Sequence, residues 1–187
     1  MELAEVMTAL ERVGTEQNRK IYTRHGVTGP CFGVSYGELG TLAHTIGTDH
    51  DLAGELWATG NHDARELAGK IADPDRLTRA EADRWARDAD NYVTAGTVAG
   101  VVSRRRWARR CSDDWRDRRS EWVASVGWGI VSHTAEDRAR RSILAASRRI
   151  GPIAVDHGET ACVTPEVAPY VERTLAHRAR RPARATV

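Results

Sequence analysis

The sequence has one phenylalanine, three cysteines and, among 28 basic residues, only two lysines, Lys20 and Lys70. With so little phenylalanine and so little alternation of β-branched and aromatic residues, a sheet-rich fold is not expected. Cys31, Cys111 and Cys162 are odd in number and far apart. That speaks against a disulfide framework, and they read as reduced thiols of a cytoplasmic protein. Long apolar runs are missing too. The longest weakly polar stretch, Val93–Val102, is ten residues long and broken by two threonines and two glycines. It is too short to span a bilayer, so no membrane partner is expected. The acidic start Met1-Glu-Leu-Ala-Glu lacks the basic and apolar regions of a signal peptide.

What the sequence does have is charge of both signs, unevenly placed. Its 187 residues carry a net charge of +2. Residues 1–100 hold 10 Lys/Arg against 16 Asp/Glu, a net of −6, and residues 101–187 hold 18 against 10, a net of +8. Such asymmetry points to an anionic partner. Arginine in place of lysine suits the forked recognition of phosphate, although codon usage gives the same bias. Apolar content of 41% supports a packed core, and the length suits one domain or a short repeat array.

Helical signals follow one another along the chain. Leu3, Val6, Met7, Leu10 and Val13 have helical spacing, and Gly14 marks a break before a second piece ending near Arg24. Ser35 with Glu38 predicts a capping box for a helix to Ile46. Asp49 or Asp51 opens a helix through Trp57, Asn61 one through Ile71, and Thr78 with Glu81 one carrying Trp85. Further helices are expected at Asn91–Ser103, Trp107–Trp115, Ser120–His133 and Glu136–Ile150. After a loop at 151–163, Thr164-Pro165-Glu166 predicts the start of a last helix, Val167–His177. Residues 1–178 are thus one expected helical domain, and 179–187 a basic, disordered tail.

The helices repeat. His62, Tyr92 and Trp122 are 30 residues apart, and Trp57, Trp85 and Trp115 recur at 28 and 30. Each unit is a Trp-bearing helix, a short turn and a second helix with small and aliphatic residues. Pairs at this spacing imply an α-solenoid, in which each pair buries its face on the next and one surface binds something extended. Glycine is frequent in the second helices, at 96, 100, 127 and 129. Close helix packing is the expected reason for most of them.

The densest basic region is Arg104–Arg119, with eight arginines against Asp113, Asp114 and Asp117. Arg106, Arg109 and Arg110 are expected on one helix face, where they can track phosphates. Other motifs carry no chemistry. Gly33-Val-Ser-Tyr-Gly-Glu-Leu-Gly40 lacks dinucleotide-binding spacing. Asp49-His50-Asp51 and Asn61-His62-Asp63 stand at helix starts, where such residues cap, and Asp156-His157-Gly158-Glu159 stands in a loop. No metal site and no cofactor are expected.

Several segments resemble the DNA alkylation repair family, the HEAT-like repeat DNA glycosylases of bacteria. They are Gly33-Val-Ser-Tyr-Gly-Glu-Leu, Thr48–Arg65, Ile71-Ala-Asp-Pro74, Asp90-Asn-Tyr-Val93, Glu121-Trp-Val123, and Val155–Thr160 with Thr164-Pro165. The resemblance runs over about 17–178 and is most specific at Leu56–Arg65. It implies an all-α HEAT-like helical-repeat solenoid that holds duplex DNA by its backbone, associates with the nucleoid and excises N3- and N7-alkylated purines. It also implies catalytic aromatics at Tyr92 and Trp122, and a carboxylate four residues after Tyr92 that stabilises positive charge developing on the sugar.

That position is Gly96 here, and neither Ala95 nor Thr97 beside it is an acid. The nearest acids in sequence are Asp88 and Asp90. Ser125 stands where the resemblance implies a phosphate-binding arginine, and the Thr134–Arg141 segment stands where it implies a further helix pair. The expected DNA contacts are Arg105, Arg106, Arg109, Arg110, Arg148 and Arg149. The expectation is therefore a DNA-binding protein without the family's acid. The alternative is a helical-repeat scaffold that binds nucleic acid without catalysis, or binds protein.

Overall fold

The computed structural model describes residues 1–150, with side chains through Ala135. The chain divides into two compact units, Met1–Ala145 and Ala146–Val187, and the first holds all the described side chains. Among the described residues there are nine helices and no strand. They are α1 (Leu3–Val13), α2 (Glu16–Arg24), α3 (Tyr36–Ile46), α4 (His50–Ala58), α5 (His62–Ile71), α6 (Arg79–Asp88), α7 (Tyr92–Val102), α8 (Ala108–Trp115) and α9 (Glu121–Ile150). The expected loop at 151–163, the helix start at Thr164, the helix Val167–His177, Cys162 and the tail at 179–187 lie outside the described residues.

Local chemistry sets the starts. Ser35 Oγ accepts from Glu38 N, Asp49 Oδ1 from Leu52 N, and Asn61 and Asn91 from the second and third amides of α5 and α7. Thr78 and Glu81 close a full capping box. One expected boundary is corrected. Ser120–His133 and Glu136–Ile150 are not two helices but one, α9. Only Thr134 and Ala135 separate them, and neither interrupts a helix. Thr134 Oγ1 donates back to Ile130 O at 2.9 Å instead of capping a new N-terminus.

The repeats stack through their second helices. Thr97 on α7 meets Glu66 on α5, and Ala99 on α7 lies against Gly129 on α9, at sequence offsets of 31 and 30 residues. Offsets that stay near the repeat length mean that α5, α7 and α9 run parallel and in register. The first helices carry the bulk: Trp57, Trp85 and Trp115 are all buried, with Trp57 and Trp85 stacked at 4.4 Å and 8°. The Trp57 indole donates to Asp88 and the Trp115 indole to Asp83. The Trp85 indole N–H is buried and unpartnered.

The N-terminal helices are tied on by residues 32–34. All three of their amides donate to the buried Asp63 carboxylate: Phe32 N at 2.6 Å, Gly33 N at 3.0 Å and Val34 N at 2.9 Å. Their carbonyls accept from α2 and its cap: Phe32 O from Arg19, Gly33 O from Thr15 N and Asn18, Val34 O from the Tyr22 hydroxyl. Gly33 has φ +78, and a Cβ there would lie 2.3 Å from Thr15 O, so only glycine fits. The Asp63 arrangement accounts for Gly33, the first glycine of the glycine-spaced motif.

Two outcomes test this packing. Asp63→Ala leaves three buried amides without an acceptor, and should lower unfolding stability in urea by about 3 kcal/mol or more. Gly129 and Gly96 should respond oppositely to alanine. A Cβ at Gly129 would stand 2.7 Å from Ala99 Cβ, whereas one at Gly96 meets nothing within 4 Å. Thermal melts should show Gly129→Ala destabilised and Gly96→Ala stabilised, the latter by about 0.5–1 kcal/mol from helix propensity.

Candidate nucleic-acid interface

Because the second helices are parallel, His62, Tyr92 and Trp122 stand at equivalent positions on one edge of the stack. They do not share one environment. His62 is buried and packs edge-on against Tyr22, and burial lowers its pKa against the opposing pull of Asp63 and Asp90. Tyr92 is 55% exposed. Trp122 is half-buried against the core. Gly96 is exposed one turn below Tyr92 on the same face, with open space above its Cα.

The two neighbouring acids are occupied. Asp88 Oδ2 accepts the Trp57 indole N–H at 3.1 Å. Asp90 faces Arg65 at 3.6 Å and accepts from the Asn91 side-chain amide at 2.7 Å. Arg65 also donates to Asp88 O at 2.9 Å and lies 5.3 Å over the Trp57 ring. This cluster fastens the α6–α7 turn to the preceding repeat, with Asp88 bonded to the buried Trp57 and Asp90 on its exposed side.

The expected arginine face is rearranged. Arg106 is not on a helix with Arg109 and Arg110, because residues 103–107 form turns and α8 begins at Ala108. Arg105 is largely covered: it pairs with Asp75 at 2.8 Å and lies over Trp107. Arg104, Arg106, Arg109 and Arg110 are exposed and make no ion pair among the described residues. Asp113 and Asp114 are taken by Arg116 and Arg79. The side chains of Arg148 and Arg149 lie outside the described ones. The Arg104–Arg110 group follows the C-terminal end of α7, about 15 Å along the helix from Tyr92.

The sequence model of the DNA alkylation repair enzyme family matches residues 6–150. The chain belongs to that family. Two uncharacterised relatives, from Listeria innocua serovar 6a and Listeria monocytogenes serovar 1/2a, are each 22% identical to it over 211 residues. Each match covers 89% of this chain and 94% of the relative. A solved structure is 36% identical, with a TM-score of 0.68, over 72% of this chain. It is described as representing a new family of proteins related to the HEAT-like repeat DNA glycosylases with affinity for branched DNA structures. This chain spans 57% of the length of that one. The fold is the all-α HEAT-like solenoid.

Within that fold one acid escaped the sequence reading. Glu66 follows His62 by four residues, as Gly96 follows Tyr92, so it holds the equivalent position one repeat earlier. The 30-residue repeat contained that signal. Glu66 is 5% exposed, and the Thr97 hydroxyl lies 2.8 Å from its Oε1 and 2.9 Å from its Oε2. Burial, only partly offset by Thr97 and Lys70, pushes its pKa from 4.5 up to about 7. The Thr97 hydroxyl donates to the carboxylate and so favours its charged form, but desolvation outweighs it. Nearby Tyr36 is pushed up to about 12, chiefly by desolvation and then by Glu66, Tyr22, Tyr92 and Asp63.

Among the described residues, no group of three or more His, Cys, Asp or Glu is placed to hold a metal. Cys111 is buried, with its thiol pushed up to about 11 by burial, and Cys31 is raised for the same reason. Burial thus favours the protonated thiol at both positions.

Glu66 generates a pH test. Between 4.5 and about 7 the unfolded chain has released this proton and the folded chain retains it. Stability therefore falls as pH rises through that window and is flat beyond it. Glu66→Gln should match wild type near pH 4.5 and exceed it at pH 8, read by urea unfolding. Parallel curves for the two proteins across the window would count against the raised pKa.

Proposed function

We propose that this protein binds DNA through its phosphate backbone and does not excise alkylated bases. The observation that carries the proposal is Gly96. The family resemblance implies a carboxylate one turn below the exposed aromatic, and this chain has hydrogen there. Among the described residues the nearest acids are engaged elsewhere. Asp88 and Asp90 hold the turn together, and Glu66 is buried and bonded to Thr97. A cationic N3- or N7-alkylated purine has a weakened glycosidic bond, but without an anion beside the sugar the developing charge goes unstabilised.

Binding is supported separately. Four exposed arginines, Arg104, Arg106, Arg109 and Arg110, have no internal counter-charge among the described residues. The 36%-identical solved relative comes from a family described as having affinity for branched DNA. Tyr92, exposed at the start of α7, offers a ring face to a base or sugar, and Trp122 stands half-buried at the matching point of the next repeat.

The test pairs binding with base release. Fluorescence anisotropy should show the protein binding both duplex and four-way-junction DNA, with affinity falling as salt rises because phosphate contacts release counterions. Replacing Arg106, Arg109 and Arg110 by alanine should weaken binding and shallow the salt dependence. On methylated duplex DNA, release of 7-methylguanine should stay at the level of buffer. Robust release that Tyr92→Ala abolishes would overturn the proposal. No measurable affinity for either DNA at low salt would favour the protein-binding scaffold.

A further inference from the structure

A cavity of about 220 Å³ lies between α6 and the α8–α9 turn, away from the Arg104–Arg110 group. Its rim is Arg87 from α6 with Arg118, Arg119 and Ser120 from the turn. Its floor is the buried Trp115 and Val123. One acid lines it, Asp83, and that carboxylate accepts the Trp115 indole N–H at 2.8 Å. Three arginines thus line a space with one carboxylate, which already accepts the Trp115 indole N–H. None of the three makes an ion pair among the described residues. Arg118 Nε donates to Asp114 O at 3.2 Å, which fixes that guanidinium while leaving its two terminal nitrogens for another acceptor.

This arrangement differs from a second basic cavity, which is lined by Asp75 and Arg104–Arg106, and from a third on α2, where Glu16 pairs with Arg19 and Lys20. In the second, Asp75 neutralises Arg105 at 2.8 Å. Around Arg87, Arg118 and Arg119 the one lining acid is Asp83, and it makes no ion pair with them among the described residues. The first turn of α9 begins immediately after Ser120, and its amides have no acceptor within the helix. Forked donors, a helix N-terminus and a concave shape match the tetrahedral oxygens of a phosphate.

We infer that this cavity is a phosphate cradle that takes a backbone phosphodiester of DNA. The inference rests on the DNA-binding reading for the source of the phosphate, while the cradle itself rests on the three arginines. Its place in the chain gives it a use. Arg118–Ser120 lead directly into Trp122, and Arg87 precedes the turn that leads into Tyr92. A phosphate held here sits at the edge where the second helices begin, so its nucleotide faces the aromatic row and not the far end of α7.

The experiment compares three full-length proteins: wild type, Arg118→Ala/Arg119→Ala, and Arg12→Ala/Arg24→Ala, which removes equal charge from α1 and α2. All four positions are exposed, and circular dichroism checks folding. Four-way-junction and duplex DNA are titrated by anisotropy from 50 to 300 mM salt, and inorganic phosphate is titrated by calorimetry. The cradle variant should bind DNA about tenfold more weakly, with a log–log salt slope shallower by about 0.9, the loss of one phosphate contact. The remote variant should keep the wild-type slope.

Equal losses in both variants would reduce the cradle to general electrostatics and overturn it. Unchanged binding by the cradle variant would overturn it while leaving the DNA reading intact. If wild type binds no DNA, that reading fails, and the phosphate titration decides. Binding lost only in the cradle variant would keep the cradle and assign it to free phosphate. Equal or absent phosphate binding in all three would remove it.

Discussion

One buried carboxylate organises the N-terminal part of this protein. Asp63 sits in the first turn of α5 with no solvent exposure, and it collects the amides of Phe32, Gly33 and Val34. An extended segment in a protein interior must place every amide and carbonyl somewhere. Here the amides go to one side, to Asp63, and the carbonyls to the other, to α2. The segment becomes a rail between α2 and α5, which also meet directly where Tyr22 packs edge-on against His62. From α5 the packing extends to α1, α3, α4 and α7, so this helix joins the N-terminal helices to the repeats. Without Asp63 the rail would have no acceptor, and α2, which buries none of its own side chains, would lose its hold.

Beyond α5 the stack is made of joints between neighbours, each built differently. The joint between the Trp57 and Trp85 repeats combines an aromatic stack with the Arg65–Asp88–Asp90 cluster. The next joint relies on close helix approach, with Gly129 giving room to Ala99, and on the Trp115–Asp83 bond. Most glycines in the second helices are there because a neighbour occupies the place of a side chain. Gly69 meets Thr97, and Gly127 meets the Trp115–Arg116 backbone. Gly100 would meet only His133 at ordinary contact distance, and Gly96 meets nothing at all. No neighbour requires it, and its helix would be sturdier with alanine, so its bareness is a property of the surface and not of the packing.

The sequence revealed what depends on a few adjacent residues. Ser35, Asp49, Asn61, Thr78 and Asn91 all cap where a short polar side chain precedes a run of helical spacing, because capping is complete within three residues. The 30-residue recurrence exposed the repeat architecture and contained Glu66 as the counterpart of Gly96. What stayed hidden depends on partners about one repeat away. Asp63 reads as a capping residue until the 32–34 segment returns to it. Arg105 reads as a free cation until Asp75, 30 residues earlier, folds against it. Arg106 was placed on a helix because nothing local marks the turns at 103–107. The expected break after His133 is absent for the opposite reason: Thr134 satisfies its hydroxyl within the helix, and Ala135 favours the helix.

The stacked pair Trp57 and Trp85 has an optical consequence. Two indoles 4.4 Å apart and within 8° of parallel couple their electronic transitions, and so form one chromophore shared between two repeats. Its near-ultraviolet signal exists only while those repeats are seated on each other. The third buried indole, Trp115, stands outside the pair and belongs to the next joint. The molecule therefore carries, in its own absorption, separate markers for two seams of the stack, and the order in which they disappear on warming would show which seam opens first.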